Sequence, residues 1–164
     1  VTLAFRPARL PQEGEMLADL FVASVMELGA DWYDEDELAA WVSAADDVAA
    51  FGARLAAMLT LIAVKDGEPV GFVALKGGDE IAMLYVAPDH AGEGVGTALV
   101  RAIETLAAHR GAKRLGVDAT DNAKPLFDKL GYVAERRNTV DVGGVWLANT
   151  TLVKTLAQDQ PGRH

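Results

Sequence analysis

The sequence predicts an α/β fold built on one mixed, mostly antiparallel sheet with helices on both faces. Three observations carry this expectation. Apolar segments 59–65 (LTLIAVK), 69–76 (PVGFVALK) and 80–86 (EIAMLYV) are separated by Asp66-Gly67 and by Gly77-Gly78, dipeptides that close the turns of an antiparallel meander. Residues 84–101 (LYVAPDHAGEGVGTALVR) run from a strand through Pro88 and three evenly spaced glycines, Gly92, Gly94 and Gly96, directly into a helical pattern. The strand expected next, at 113–118, returns after that helix and by the right-handed crossover rule lies parallel to 80–86.

Taken in order, residues 2–6 read as a short strand and Pro7 and Pro11 mark a turn. Residues 12–28 show helical spacing through Met16, Leu17, Leu20, Phe21, Val25 and Leu28, with Gly29 as the C-cap. Residues 31–51 read as one or two further short helices, the first N-capped by Asp34 or Asp36 and the next by Ser43 or Asp46. After the meander, the long helix runs from Gly94 to about Arg110 and stops at Gly111. A short helix at 122–130 follows, capped by Thr120 or Asp121 and ended by Gly131. Segments 132–142 and 145–154 pair through Gly143-Gly144, and 146–153 is a candidate sheet edge for a homodimer; monomer and homodimer both stay open. The expected organisation is one domain over 1–156 and a polar tail at 157–164.

Composition narrows the function classes. A chain of 164 residues that is 51% apolar buries a sizeable core. No apolar run reaches the roughly 18–20 residues of a membrane helix, and no basic-then-apolar leader opens the chain, which begins at Val1. With no cysteine, disulfides, thiolate metal sites and a cysteine nucleophile are excluded. The three histidines, His90, His109 and His164, show no metal-ligand spacing. Fifteen basic against 24 acidic residues, net −9, argues against nucleic acid and favours a cationic or amine-bearing partner. Arg101, Lys113 and Arg114 are the local cations available to a polyanionic ligand.

The stretch at 84–101 is where chemistry concentrates. Strand, glycine turn and helix together present bare backbone N–H groups at a positive helix terminus, the arrangement that binds phosphate. No Lys-Ser/Thr follows the glycines, so the P-loop pattern is absent, and the spacing is not that of a dinucleotide fold.

These residues resemble the acetyl-CoA site of the GCN5-related N-acetyltransferases (the GNAT superfamily), whose strand L-Y-V-x-P leads into Arg/Gln-x-x-Gly-x-Gly/Ala and a long helix. The matching positions are Leu84, Tyr85, Val86, Pro88, Ala91, Gly92, Glu93, Gly94, Val95 and Gly96. A second signature, Asn-x-x-A-x-x-L-Y-x-x-x-Gly-Phe, is approximated around Asn122, Ala123, Leu126, Phe127, Gly131 and Tyr132. The closing segment and the acidic, aromatic N-terminal helices are similar to the YafP-like branch of small bacterial members. The order of elements is also the family's. Three positions depart: Ala91 replaces the usual Arg or Gln, Glu93 stands where Lys or Arg is frequent, and Phe127 replaces the family's frequent thiol-protonating Tyr.

The resemblance implies a GNAT-like sheet with a splayed parallel strand pair, and a cytoplasmic acetyltransferase that needs acetyl-CoA and no metal. It places the cofactor on Leu84, Tyr85, Val86, the loop Ala91, Gly92, Glu93, Gly94, Val95, Gly96 and Thr97, and on Asn122 and Phe127. Glu80 matches the catalytic glutamate of the histone-type branch, and even spacing sets Glu80, Ala82, Leu84 and Val86 on one strand face; Asp118 and the acids at 34–37 are the alternative bases. The run Asp31, Asp34, Glu35, Asp36, Glu37 reads either as a solvated helix start suited to the dipole or as an acidic mouth walled by Trp32, Tyr33 and Trp41. Two functions follow: transfer of an acetyl group to an amine of a small molecule or peptide, or a non-catalytic acyl-CoA-binding module.

Overall fold

Turn chemistry sets the first part of the sheet. In the computed structural model, which describes residues 2–156, Asp66 and Gly67 both adopt positive φ, 53° and 81°. That conformation matches the twist of two antiparallel strands joined by two residues. The elements are β1 (Ala4–Pro7), α1 (Gly14–Leu28), α2 (Glu35–Val42), a 3-10 turn (Ser43–Ala45), α3 (Val48–Ala56), β2 (Leu59–Lys65), β3 (Glu68–Lys76) and β4 (Glu80–Val86), then a second 3-10 turn (Pro88–His90), α4 (Val95–His109), β5 (Arg114–Thr120), α5 (Lys124–Lys129), β6 (Val133–Val142) and β7 (Val145–Thr155). The seven strands lie in the order β1-β2-β3-β4-β5-β7-β6. Every neighbouring pair is antiparallel except β4 and β5. The expected tail at 157–164 lies outside the described residues.

Capping decides the helix boundaries. Asp34 starts α2 with a full capping box, its carboxylate accepting from Glu37 N–H at 2.8 Å and the Glu37 carboxylate accepting from Asp34 N–H at 2.9 Å. Asp47, not Ser43 or Asp46, caps α3 through Ala50 N–H at 3.0 Å. The Ser43 hydroxyl instead donates to the Ala40 carbonyl at 2.6 Å and ends α2. No side chain caps α5, which begins at Lys124; the Thr120 hydroxyl is spent on Asn122 Oδ1 at 2.7 Å. The segment 146–153 proves to be interior: β7 is inserted between β5 and β6, so β6 is the edge strand.

Two cores sandwich the sheet. One face packs against α4 and α5 through Leu99, Ile103, Leu115, Phe127 and Leu152. The other packs against α1, α2 and α3 through Leu17, Phe21, Leu38, Phe51, Phe72 and Met83. Gly71 on β3 lets α4 settle onto the sheet. A Cβ there would lie 3.0 Å from Leu99 Cδ1 and from the Tyr85 carbonyl oxygen, and 3.1 Å from Val95 Cγ1. Gly71→Val is therefore expected to lose about 1–3 kcal/mol by overpacking, read as a lower urea midpoint. An unchanged midpoint would mean that α4 does not sit this close.

The register of β4 contains the detail that shapes the site. Ala74 pairs with Met83 but Leu75 pairs with Ile81, so Ala82 is an extra residue in a β-bulge. The bulge reverses the alternation. Ile81, Leu84 and Val86 face the α4 side, while Met83 and Tyr85 face the α1 side. Glu80, next to Ile81 and opposite Lys76, falls on the α1 side as well. The expected shared face of Glu80, Leu84 and Val86 is thus wrong, because strict period-two counting cannot see an inserted residue. Beyond Ile81 the parallel pair parts: only Glu80↔Gly116 and Ile81↔Val117 are in register before β4 and β5 diverge.

Candidate active site

Three cavities follow one another across the splay. The largest, about 480 Å³, opens at the start of α4 and is lined by Leu84, Tyr85, Val86, Ala91, Gly92, Gly94, Val95, Gly96 and Thr97, with Asn122 on the opposite wall. Gly94 is the N-cap of α4 at φ 86°, and no side chain caps the helix. Among the described residues, no turn or loop backbone bond takes up the Gly94, Val95, Gly96 or Thr97 amides. First-turn amides have no intrahelical acceptor, so these four donors stand free over the cavity. A Cβ at Gly92 or Gly94 would meet nothing within 4 Å. Space and donors together fit a phosphate-bearing ligand.

The basic side chains at this cavity are His90 and Lys129. Of the expected ones, Arg101 faces Glu104 at 3.6 Å and Arg114 pairs with Glu135 at 3.2 Å, and neither of these, nor Lys113, lines the cavity. Glu93 does not line it either: its Oε1 accepts from Lys65 Nζ at 2.6 Å and meets His90 Nδ1 at 3.0 Å. The Lys65 bond, then the His90 bond, hold the Glu93 carboxyl below the ordinary carboxylate range. Glu93→Gln frees Lys65 and is expected to tighten acetyl-CoA binding severalfold at low salt. The gain should fade near 1 M salt, where the screening length falls to about 3 Å. Calorimetry at two ionic strengths checks this, and weaker binding by the variant would place the Glu93 clasp among the groups that support the ligand.

A narrow second cavity occupies the splay itself, between Ala82, Met83, Leu84 and Tyr85 of β4 and Val117, Asp118, Ala119 and Thr120 of β5. It meets the first at Leu84, Tyr85, Thr120 and Ala123. The Tyr85 hydroxyl accepts from Trp41 Nε1 at 3.2 Å, and burial pushes its pKa up to about 12, so it stays protonated. Phe127 is 1% exposed and stacks edge-on to Tyr132 at 5.1 Å. The Tyr132 hydroxyl in turn donates to Glu104 at 2.8 Å, which places it in the core under α4 and away from the splay.

The third cavity, about 310 Å³, lies at the closed end of the splay and is polar, lined by Asp79, Glu80, Asp118, Arg114, Arg136 and Thr151. Asp118 and Val117 line both this cavity and the splay. Glu80 lines only the polar cavity. Asp118 is held by a short relay in which Asn138 Nδ2 donates to Thr151 Oγ1 at 2.8 Å and Thr151 donates to Asp118 Oδ1 at 2.5 Å. Neither Arg136 nor this relay announces itself in the sequence; both depend on the register β5–β7–β6.

The expected aromatic walls separate. Trp41 lines the first cavity, and Trp32 is 53% exposed on the loop before α2. Tyr33 is 8% exposed, and its hydroxyl accepts from Asp121 N–H at 2.8 Å and donates to the Ala148 carbonyl at 3.3 Å. It ties the α1–α2 loop to the turn after β5 and to β7. The acids Asp34 and Glu37 are engaged in the α2 capping box.

Comparisons with known proteins agree with this geometry. A family model described as an acetyltransferase (GNAT) domain matches residues 30–152. The chain is 27% identical over 139 residues to the N-acetyltransferase YafP of Escherichia coli K12, itself described as uncharacterized; the match spans 85% of this chain and 87% of YafP. A crystal structure from Rhodopseudomonas palustris, described as a GCN5-related N-acetyltransferase and class-II aminotransferase, is 56% identical with a TM-score of 0.92 over 95% of this chain and 97% of that one. The PaiA N-acetyltransferase of Thermoplasma acidophilum, solved with coenzyme A, shares the fold at 18% identity and a TM-score of 0.75, covering 94% of this chain and 99% of that one. The uncapped glycine turn, the splayed β4–β5 pair and the family match over residues 30–152 have one meaning: this chain belongs to the GNAT family of acetyltransferases.

Proposed function

We propose that the protein transfers the acetyl group of acetyl-CoA directly to an amine of a small molecule or peptide. The observation that carries this reading is a succession of three cavities that share lining residues, from free helix amides through an open strand pair to a carboxylate-lined pocket. The amides of Gly94, Val95, Gly96 and Thr97, the Thr97 hydroxyl, His90 and Lys129 hold the phosphates. The freed backbone edges of Leu84 and Val86 are available to an extended ligand, as at any unpaired strand edge. Tyr85, Ala91, Gly92 and Asn122 line the arm's path. The Val86 amide serves the developing oxyanion. Acetyl-CoA supplies an activated acetyl group: the amine nitrogen forms a C–N bond as the C–S bond breaks and the thiolate leaves.

A free amine with pKa near 10.4 makes up only about one molecule in a few thousand at neutral pH, so a proton acceptor matters. Asp118, shared by splay and polar cavity, takes the amine proton, and Glu80 on the outer side passes it to solvent. The loss of a tyrosine at Phe127 is tolerable because a thiol of pKa about 8.5 leaves as the thiolate without an acid. The same Phe127, with Ala91, favours the second reading, a domain that binds acyl-CoA without turnover.

Calorimetric titration with acetyl-CoA at moderate salt, followed by thiol release with a panel of amines, tests both. Micromolar binding with turnover supports acetyl transfer, binding without turnover supports the second reading, and no binding overturns both.

A further inference from the structure

The polar cavity carries more than a base. Three acids line it, Asp79, Glu80 and Asp118, but so do two arginines. Arg114 is engaged by Glu135 at 3.2 Å. Among the described residues Arg136 makes no ion pair and no side-chain hydrogen bond, although it lines the cavity. Asp118 pairs with Thr151 on β7, and Arg136 on β6 pairs with the same Thr151. The two charges therefore stand on one rung across three strands. At about 4.8 Å per strand, their Cα atoms are about 10 Å apart. Both residues line the one cavity.

Gly116, two residues before Asp118 on β5, lines the same cavity. Its φ is not positive, and a Cβ there would meet only the Leu152 and Asp79 carbonyl oxygens, at 3.9 and 4.0 Å. Neither backbone conformation nor close packing requires a glycine at this place. What its missing side chain leaves is room in a cavity at the small end of the ligand-pocket range.

We infer that the acceptor is a small amino carboxylate, a free amino acid whose amine meets Asp118 at the splay and whose carboxylate meets Arg136 on β6, beyond the intervening β7. This inference rests on the acetyltransferase reading above. A polyamine would bring a second cation against an unpaired arginine, and a plain amine would leave that arginine without a partner. An amino carboxylate satisfies both ends, and the guanidinium fork suits a carboxylate geometrically.

The test uses the full chain with acetyl-CoA and a panel of amino acids, each matched with its carboxamide and with the amine lacking the carboxylate, together with a polyamine. Thiol release is expected from at least one amino acid, with kcat/KM about 10- to 100-fold above its carboxamide, the loss expected for one charge-assisted hydrogen bond. Arg136→Ala is expected to erase that preference while acetyl-CoA affinity, by calorimetry, stays unchanged. Gly116→Val places a β-branched residue in a strand, where it is well tolerated, and is expected to raise the amino acid KM at least tenfold without lowering the melting midpoint. Equal or better turnover of carboxamides or polyamines overturns the inference and leaves acetyl transfer standing. Acetyl-CoA binding without turnover of any panel member is decided by titrating the amino acids into the coenzyme A-bound protein, where absence of binding overturns it. Failure to bind acetyl-CoA at all overturns the underlying reading.

Discussion

Thr97→Glu is expected to abolish acetyl-CoA binding while leaving the fold as stable as before, or slightly more so. Thr97 is the third residue of α4 and lines the cavity above the free amides. A glutamate at this position faces the positive end of the helix, worth about 0.3–1 kcal/mol at an exposed site, and can reach back to the N-cap amide as in a capping box. The same carboxylate then stands where a pyrophosphate would sit. Two unit charges about 4 Å apart repel by about 4 kcal/mol at an effective dielectric of about 20, and each 1.4 kcal/mol is about tenfold in affinity. A loss of at least about 100-fold follows, measured by calorimetry beside a thermal melt. Thr97→Val removes only the hydroxyl and is expected to cost far less. Retained micromolar affinity in the glutamate variant would show that the phosphates do not rest on α4.

The contrast between stability and binding here has a source that the sequence already contained. Gly92, Gly94 and Gly96 followed by an apolar helical pattern mark a helix whose start is left uncapped, and the structure has Gly94 at φ 86° with no side-chain cap. The turn at Asp66 and Gly67 was legible for the same reason: local conformational preference decides it, and β2, β3 and β4 lie within a residue of their expected limits. What escaped depends on partners distant in the chain. Ala82 bulges because of how β4 meets β3, and that single residue moves Glu80 to the other face of the strand. Glu93 reads as an unfavourable charge in a phosphate loop until Lys65, 28 residues earlier, takes it up. Tyr33 reads as a substrate wall until Asp121 and Ala148 engage its hydroxyl. Arg136 looks like any surface arginine until β7, inserted between β5 and β6, aligns it with Asp118.

That alignment makes Asp118 the residue whose loss is expected to cost the most turnover. Asp118→Asn keeps the shape and leaves a carbonyl oxygen to accept from Thr151, so the relay through Asn138 survives. It removes the group that accepts a proton, and general base catalysis contributes about 10²–10⁴-fold. A fall in kcat of that size is expected, with acetyl-CoA affinity unchanged because Asp118 does not line the helix-end cavity. Glu80→Gln, one rung further from the splay, is expected to cost about tenfold or less. The pH profile separates a proton acceptor from a group that only positions the amine. As pH rises toward an amine pKa of about 10.4, the solution supplies the unprotonated amine that the base otherwise provides. The deficit of Asp118→Asn should then shrink, whereas a positioning defect would stay constant. If Glu80→Gln proves the more damaging change, the two carboxylates exchange roles, with the proton leaving through the outer residue. If neither variant loses more than a few-fold, the polar cavity binds the acceptor without taking its proton, and attack relies on the small free-amine fraction alone.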